Sequence, residues 1–221
     1  MPGVLWSPLR AGAHPPLVLL GHGASGHKGT DYVANLAKSF VGRGMAAAAI
    51  DGPVHGDRRL DGGKNSPLAF LEFCQAWSSD PTMTDEMVAD WVATLDGLLA
   101  LDELAGSRVG WWGVSMGTII GLPFVAAEPR IEVGVLGLMG LTGPTRARIA
   151  KDAPRVACPV MFLIQWDDEL FAREYSVALF DALGSRDKRM HAYPGRHGAL
   201  SSEAFRSSES FLAGRLLAGP L

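Results

Sequence analysis

The chain has 221 residues, 48% of them hydrophobic and 19% charged, which fits one globular domain with a sizeable core and excludes wholesale disorder. Its 20 basic and 23 acidic residues leave a net charge of −3, so nothing electrostatic favours a nucleic-acid partner. No apolar run reaches the roughly 18 residues that a membrane span needs.

The two cysteines, Cys74 and Cys158, do not make a disulfide framework, although a single bridge between them stays open. The opening Met1-Pro2-Gly3-Val4-Leu5-Trp6 lacks the basic-then-apolar build of a signal peptide, so the expected location is a reducing cytoplasm.

In chain order, a short apolar run, a turn and a helix-length segment recur. Leu17-Val18-Leu19-Leu20 reads as a buried strand ending at Gly21-His22-Gly23. A helix is predicted over 32–43, with Val33, Leu36, Ala37 and Phe40 on one face and Gly42 and Gly44 as its stop. The alanine-rich run 45–50 has helix composition, but its length and the flanking Gly44 and Asp51-Gly52-Pro53 favour a strand. Residues 55–83 read as irregular and are the one lid candidate besides the 138–160 connection; their Phe70, Phe73 and Trp77 could line an acyl pocket, but packing against the sheet is the preferred reading. Thr84 is expected to cap a helix over 85–101, whose first turn is acidic.

A strand over 109–114 runs into Ser115, followed by a helix over 116–127 that Pro123 should kink. Strands over 131–138 and 160–165, a helix over 173–183, a strand over 188–193 and a helix over 203–217 complete the chain. Apolar strands alternating with helices imply a doubly wound, mainly parallel α/β sheet, with ligands beyond the carboxyl ends of its strands.

Gly113-Val114-Ser115-Met116-Gly117 matches G-x-S-x-G. A chain of this composition yields about 0.2 such matches by chance, so the motif gains weight from its context, a strand before and a helix after. A sharp strand-to-helix turn holds the hydroxyl out over the sheet, and a Cβ at either glycine would collide with neighbouring backbone. Serine is a weak nucleophile until a base takes its proton. Of the six histidines, His197 follows a predicted strand in Tyr193-Pro194-Gly195-Arg196-His197-Gly198, whereas His191 lies inside that strand and His14 sits among prolines. Asp167-Asp168-Glu169 follows the strand over 160–165 and offers the carboxylate that orients the base. The order serine, acid, histidine differs from the two main serine-protease orders.

Leu19-Leu20-Gly21-His22-Gly23, Asp51-Gly52-Pro53-Val54-His55-Gly56-Asp57, the Ser115 turn, Asp168-Glu169-Leu170-Phe171 and Pro194-Gly195-Arg196-His197-Gly198 together resemble the α/β-hydrolase superfamily. More narrowly, they resemble its small dienelactone-hydrolase-like serine esterases. The resemblance implies Ser115 as nucleophile, His197 as base and Asp168 as acid, with the backbone N–H groups of Ala24 and Met116 as the oxyanion hole. It makes His22 a loop-stabilising residue, and Val4-Leu5-Trp6 resembles an early edge strand. Dienelactone hydrolases proper carry cysteine where this chain has Ser115. The roughly 20 residues between Leu138 and Val160 are too few for a large helical cap.

The expectation is a hydrolase of small-molecule carboxylic esters, with thioesters and lactones open, and with no cofactor, metal, nucleic acid or membrane involved. No H-E-x-x-H or C-x-x-C occurs, and Gly21-His22-Gly23-Ala24-Ser25-Gly26 lacks the third glycine of a dinucleotide fingerprint. The competing expectation is a non-catalytic protein of the same fold that binds a small molecule or a partner. Acyl length, leaving group and oligomeric state leave no mark on the sequence.

Overall fold

The computed structural model describes residues 2–8, 14–59, 61 and 68–218. Seven strands form one sheet: β1 (Gly3–Trp6), β2 (Leu17–Gly21), β3 (Ala46–Ile50), β4 (Val109–Gly113), β5 (Ile131–Gly137), β6 (Val160–Gln165) and β7 (Lys188–Tyr193), in the order β1-β3-β2-β4-β5-β6-β7. Only β1 runs antiparallel, pairing Gly3 with Ile50 and Trp6 with Ala47 along the edge of β3. The parallel register aligns Gly21 with Gly113 and Gln165 with Tyr193, so the turns after β2, β4, β6 and β7 open on the same edge.

Two cores follow from the period of two along these strands. Val18, Leu20, Trp112, Val133, Val135 and Leu163 face α1 (Asp31–Gly42) and α7 (Ser202–Leu216). Leu17, Leu19, Trp111, Leu136, Phe162 and Ile164 face the other way. There they meet α3 (Met83–Leu99), α4 (Met116–Ala127), α5 (Arg146–Asp152) and α6 (Arg173–Ala182). Burial on both faces is why the strands read as continuous apolar runs. No large cap domain is evident, in keeping with the short 138–160 connection, which holds only α5 and a turn of 3₁₀ helix.

Three expectations are corrected. Residues 55–83 are not wholly irregular, because α2 (Ala69–Ser79) forms there and buries Phe73. Its flanks at 60 and 62–67 lie outside the described residues. The next helix begins at Met83, so Thr84 is inside α3 and buried, and no side chain caps its N-terminus. Pro123 leaves α4 unbroken from Met116 to Ala127. The N–H that proline lacks would have bonded to Ile119, and residues 116–125 are all buried, so packing from both sides holds the helix continuous.

Candidate active site

β4 ends at Gly113, and the chain turns through Ser115 into α4 with φ 58 and ψ −121 at the serine. That strained turn is tied down from both sides. The Ser115 N–H donates to the Gly137 carbonyl at 3.0 Å. The Thr118 hydroxyl accepts the Gly137 N–H at 2.8 Å and stands 2.7 and 2.9 Å from the Gly137 and Gly113 carbonyls. The flanking glycines are sterically required: a Cβ on Gly113 would lie 2.7 Å from the Gly117 carbonyl oxygen, and one on Gly117 would lie 2.5 Å from that of Gly21. The turn is therefore packed directly against β2.

His197 and Asp168 arrive from the loops after β7 and β6. His197 Nε2 stands 2.9 Å from Ser115 Oγ, and His197 Nδ1 stands 2.8 Å from Asp168 Oδ2. The other oxygen of Asp168 accepts the N–H groups of Leu170 at 2.8 Å and Phe171 at 3.0 Å. Burial works to raise the Asp168 carboxyl, but the His197 bond and these two N–H groups outweigh it and hold it below the usual carboxylate range. Asp167, by contrast, is exposed, and its N–H donates to the Gly195 carbonyl at 3.0 Å.

Glu169 has a part that sequence reasoning did not assign. Its carboxylate accepts the His197 N–H at 2.9 Å and lies 3.4 Å from Arg196, pinning the backbone of the histidine loop. The Gln165 side-chain amide donates to the Arg196 carbonyl at 3.1 Å from the same side.

Opposite Ser115 runs the loop after β2. Among the described residues no group takes the N–H of Ala24 or of Met116, and Ala24 and Ser115 line one cavity of about 430 Å³. Its walls include Tyr32, Phe70, Trp112, Leu138 and Phe205, so it is largely apolar. A volume in this range suits a small molecule. Of the three aromatic residues weighed between an acyl pocket and sheet packing, Phe70 lines the cavity and the other two do not. Phe73 packs into the core, and Trp77 stacks on Phe73 and donates its indole N–H to the Thr145 hydroxyl at 2.9 Å.

The loop is held firmly. The Tyr32 hydroxyl accepts the Gly23 N–H at 2.7 Å, and burial pushes that phenol up to about 12. His22 is lowered to about 3, first by burial and then by the neighbouring His55, so its ring is neutral. With its proton on Nδ1 it donates to the Gly23 carbonyl at 2.8 Å, while Nε2 accepts the Gly52 N–H at 2.8 Å. The loop-stabilising part implied for His22 thus has a definite form, a bridge between the turns after β2 and β3. Beyond it, Lys28 pairs with Asp51 and, at 2.6 Å, with Asp57. Burial opposes charge on both Lys28 and Asp51, yet their mutual bonds win, raising the lysine and lowering the aspartate.

Comparison with solved structures places this arrangement. A cold-adapted esterase from an Arctic intertidal metagenomic library, in its PEG-bound complex, is 42% identical, covers 97% of this chain and 88% of its own, and superposes with a TM-score of 0.85. The chain belongs to the α/β-hydrolase superfamily, among its esterases. This α/β hydrolase acts on ester bonds. Its fold is shared by Est1E from Butyrivibrio proteoclasticus with bound ferulic acid, which has a TM-score of 0.74 at 14% identity over 98% of this chain and 96% of that one. Dienelactone hydrolase from Anabaena variabilis has a TM-score of 0.72 at 18% identity over 97% and 90%. A scan of protein-family models gives no match to this hydrolase, and neither does a search of curated proteins. Its two cysteines are free, and no helix among the described residues is long and apolar enough to cross a membrane.

Proposed function

We propose that this hydrolase cleaves small-molecule carboxylic esters through an acyl-enzyme on Ser115, with His197 as general base and acid and Asp168 as its orienting carboxylate. The observation that carries the reading is the continuous contact from Ser115 Oγ through both ring nitrogens of His197 to Asp168, at 2.9 and 2.8 Å. Ser115 Oγ attacks the ester carbonyl as His197 Nε2 takes its proton. Asp168 holds the tautomer with hydrogen on Nδ1 and stabilises the imidazolium. The oxygen of the tetrahedral intermediate is received by the N–H groups of Ala24 and Met116, each worth on the order of 10²–10³ in rate. The imidazolium then protonates the leaving alcohol. Water then attacks the acyl carbon as His197 Nε2 takes one of its protons, the acyl–Oγ bond breaks to release the carboxylic acid, and the ring passes that proton to Ser115 Oγ.

The leaving group enters the chemistry only as an acceptor of that proton, so thioesters and lactones fit the same sequence of steps. The apolar walls of the cavity favour an uncharged organic acyl or alkyl group beside the reacting carbon. The test is labelling with a fluorophosphonate, the modified peptide being identified by mass spectrometry. Label confined to Ser115 is expected, with label and turnover both lost in Ser115→Ala. A folded wild-type protein that takes no label, or a Ser115→Ala variant that keeps its activity, would overturn the reading.

A further inference from the structure

We propose that His55 is a positioning residue for ester hydrolysis: from behind the loop after β2 it grips the Ala24 carbonyl and so fixes the direction in which the Ala24 N–H meets the substrate. The proposal rests on the reading of Ala24 as an oxyanion donor and extends it to a side chain that touches no reacting atom.

The turn that presents His55 is built at a conformational cost. Val54, a β-branched residue, has φ 56, a region that such side chains rarely enter. Gly56 has φ 50, and a Cβ there would lie 2.3 Å from the atoms of the Asp51 carboxyl group, so only glycine lets the turn close over that aspartate. Asp51 in turn accepts the N–H groups of Asp57 at 2.8 Å and Lys28 at 2.9 Å. A strained turn persists where its surroundings over-determine it, and such turns cluster at functional sites.

What the turn delivers is an imidazole 1% exposed, with Nε2 2.8 Å from the Ala24 carbonyl oxygen and Nδ1 facing the Pro53 carbonyl of its own turn. The ring packs edge-on against His22 at 5.0 Å and lies 6.0 Å from Phe73. An apolar side chain would fill this space as well; the imidazole faces two carbonyls, and in the tautomer with hydrogen on Nε2 it donates to that of Ala24.

An N–H lies in the plane of the peptide preceding its own Cα, and that plane is coupled to the following one only through φ and ψ at the residue between them. The peptide before Ala24 is held by His22 through the Gly23 carbonyl, and the peptide after it by His55 through the Ala24 carbonyl. With both planes fixed, the Ala24 N–H needs no reorganisation when charge develops on the substrate oxygen. Release of the second plane lets the two peptides rotate together and tilts the donor away.

The experiment compares wild type, His55→Phe and His55→Gln. The glutamine amide nitrogen reaches about as far as imidazole Nε2 and can still donate. His55→Phe is expected to lower kcat by about 10–100-fold, less than the roughly 10²–10³ for losing an oxyanion donor outright because the donor is tilted rather than removed, with KM nearly unchanged. It should weaken a trifluoromethyl ketone, which forms an oxyanion on Ser115, by the same factor, and leave the matching alcohol unaffected. His55→Gln should recover most of both losses. Equal melting-temperature losses in the two variants, with kcat per phosphonate-titrated site unchanged, would reduce His55 to a packing residue and overturn the proposal.

Should His55→Phe not fold, the wild-type protein still decides. The His55 Nε2–H resonance is expected to shift when Ser115 is phosphonylated, and a resonance that stays put overturns the proposal. Failure of wild type to take the phosphonate sinks the underlying Ser115 reading instead, whereas labelled wild type with an unaffected His55→Phe sinks this proposal alone.

Discussion

Ser115, Val54 and Leu138 hold φ values of 58, 56 and 47 without being glycine, and all three lie at the carboxyl edge of the sheet. Ser115 and Leu138 line the cavity, so local strain on the order of 1–3 kcal/mol per residue falls where fixed geometry matters; Val54 does not line it, and His14, at φ 62, lies before β2. Asp168 and Asp167 show how finely that geometry discriminates. Asp168→Asn is expected to lower kcat by about 10⁴, because the amide no longer selects the tautomer with hydrogen on Nδ1. Asp167→Asn should stay within about 3-fold, since its side chain is exposed and its anchoring contact is made by the backbone. Steady-state kinetics on a p-nitrophenyl ester decide, and the reverse pattern would move the acid by one residue. Ser115, Asp168 and His197 were legible in the sequence because their types and order carry chemistry. Tyr32, His55 and Glu169 were not, since their parts depend on which backbone groups lie opposite them. His55 and Ala24 are 31 positions apart, and only the closed Asp51–Asp57 turn brings them together. The segment Asp51-Gly52-Pro53-Val54-His55-Gly56-Asp57 held that signal in the glycine that lets the turn close.

Among the elements, β4 and α4 meet around a single indole. Cβ atoms on Gly21 and Gly121 would lie 2.5 and 2.3 Å from the Trp111 ring, and one on Gly113 would lie 2.9 Å from it. Three glycines from two strands and a helix thus make the slot that Trp111 fills. Gly121→Ala should cost about 3 kcal/mol by overpacking. Trp111→Phe should recover part of that loss in the double variant, more readily because the buried Trp111 N–H has no partner among the described residues. Urea unfolding of the four proteins measures the coupling, and strict additivity would mean that the helix shifts instead. The strands and most helices were legible because apolar runs and helical spacing survive in sequence. α2 was obscured by Gly62, Gly63, Pro67 and Pro81 around it, although Phe73 and Trp77 stand one helical turn apart. Its two faces predict different phenotypes. Phe73→Ala should cost about 3–5 kcal/mol in stability. Phe70→Ala, at a residue 39% exposed, should change KM across a series of acyl esters and leave the urea midpoint almost unmoved.

At the scale of the whole molecule, buried titratable groups set the response to acid. His22 titrates near 3 in the folded protein against an ordinary value of 6.5, so the unfolded chain takes up the proton first. Stability therefore falls as pH drops from about 6.5 towards 3, by about 1.4 kcal/mol per unit for this group. Asp51 and Asp168 lie below the usual carboxylate range, so their contribution is present above about pH 4 and is lost only as pH falls through their folded values. Between about pH 6 and 4.5 the slope thus belongs to His22 rather than to the carboxylates. His22→Asn, which keeps a donor near the Nδ1 position, should flatten urea midpoints across that window, and an undiminished slope would mean that another group is responsible. The order of elements along the chain has a consequence for synthesis. Ser115 and His197 are separated by 82 positions, and Phe205 of α7 completes the cavity wall. At about 5–20 residues per second, the proposed nucleophile waits on the ribosome for roughly 4–16 s before its proposed base has been made. If the proposed triad is right, a nascent chain of this hydrolase is expected to stay inert towards esters until α7 docks.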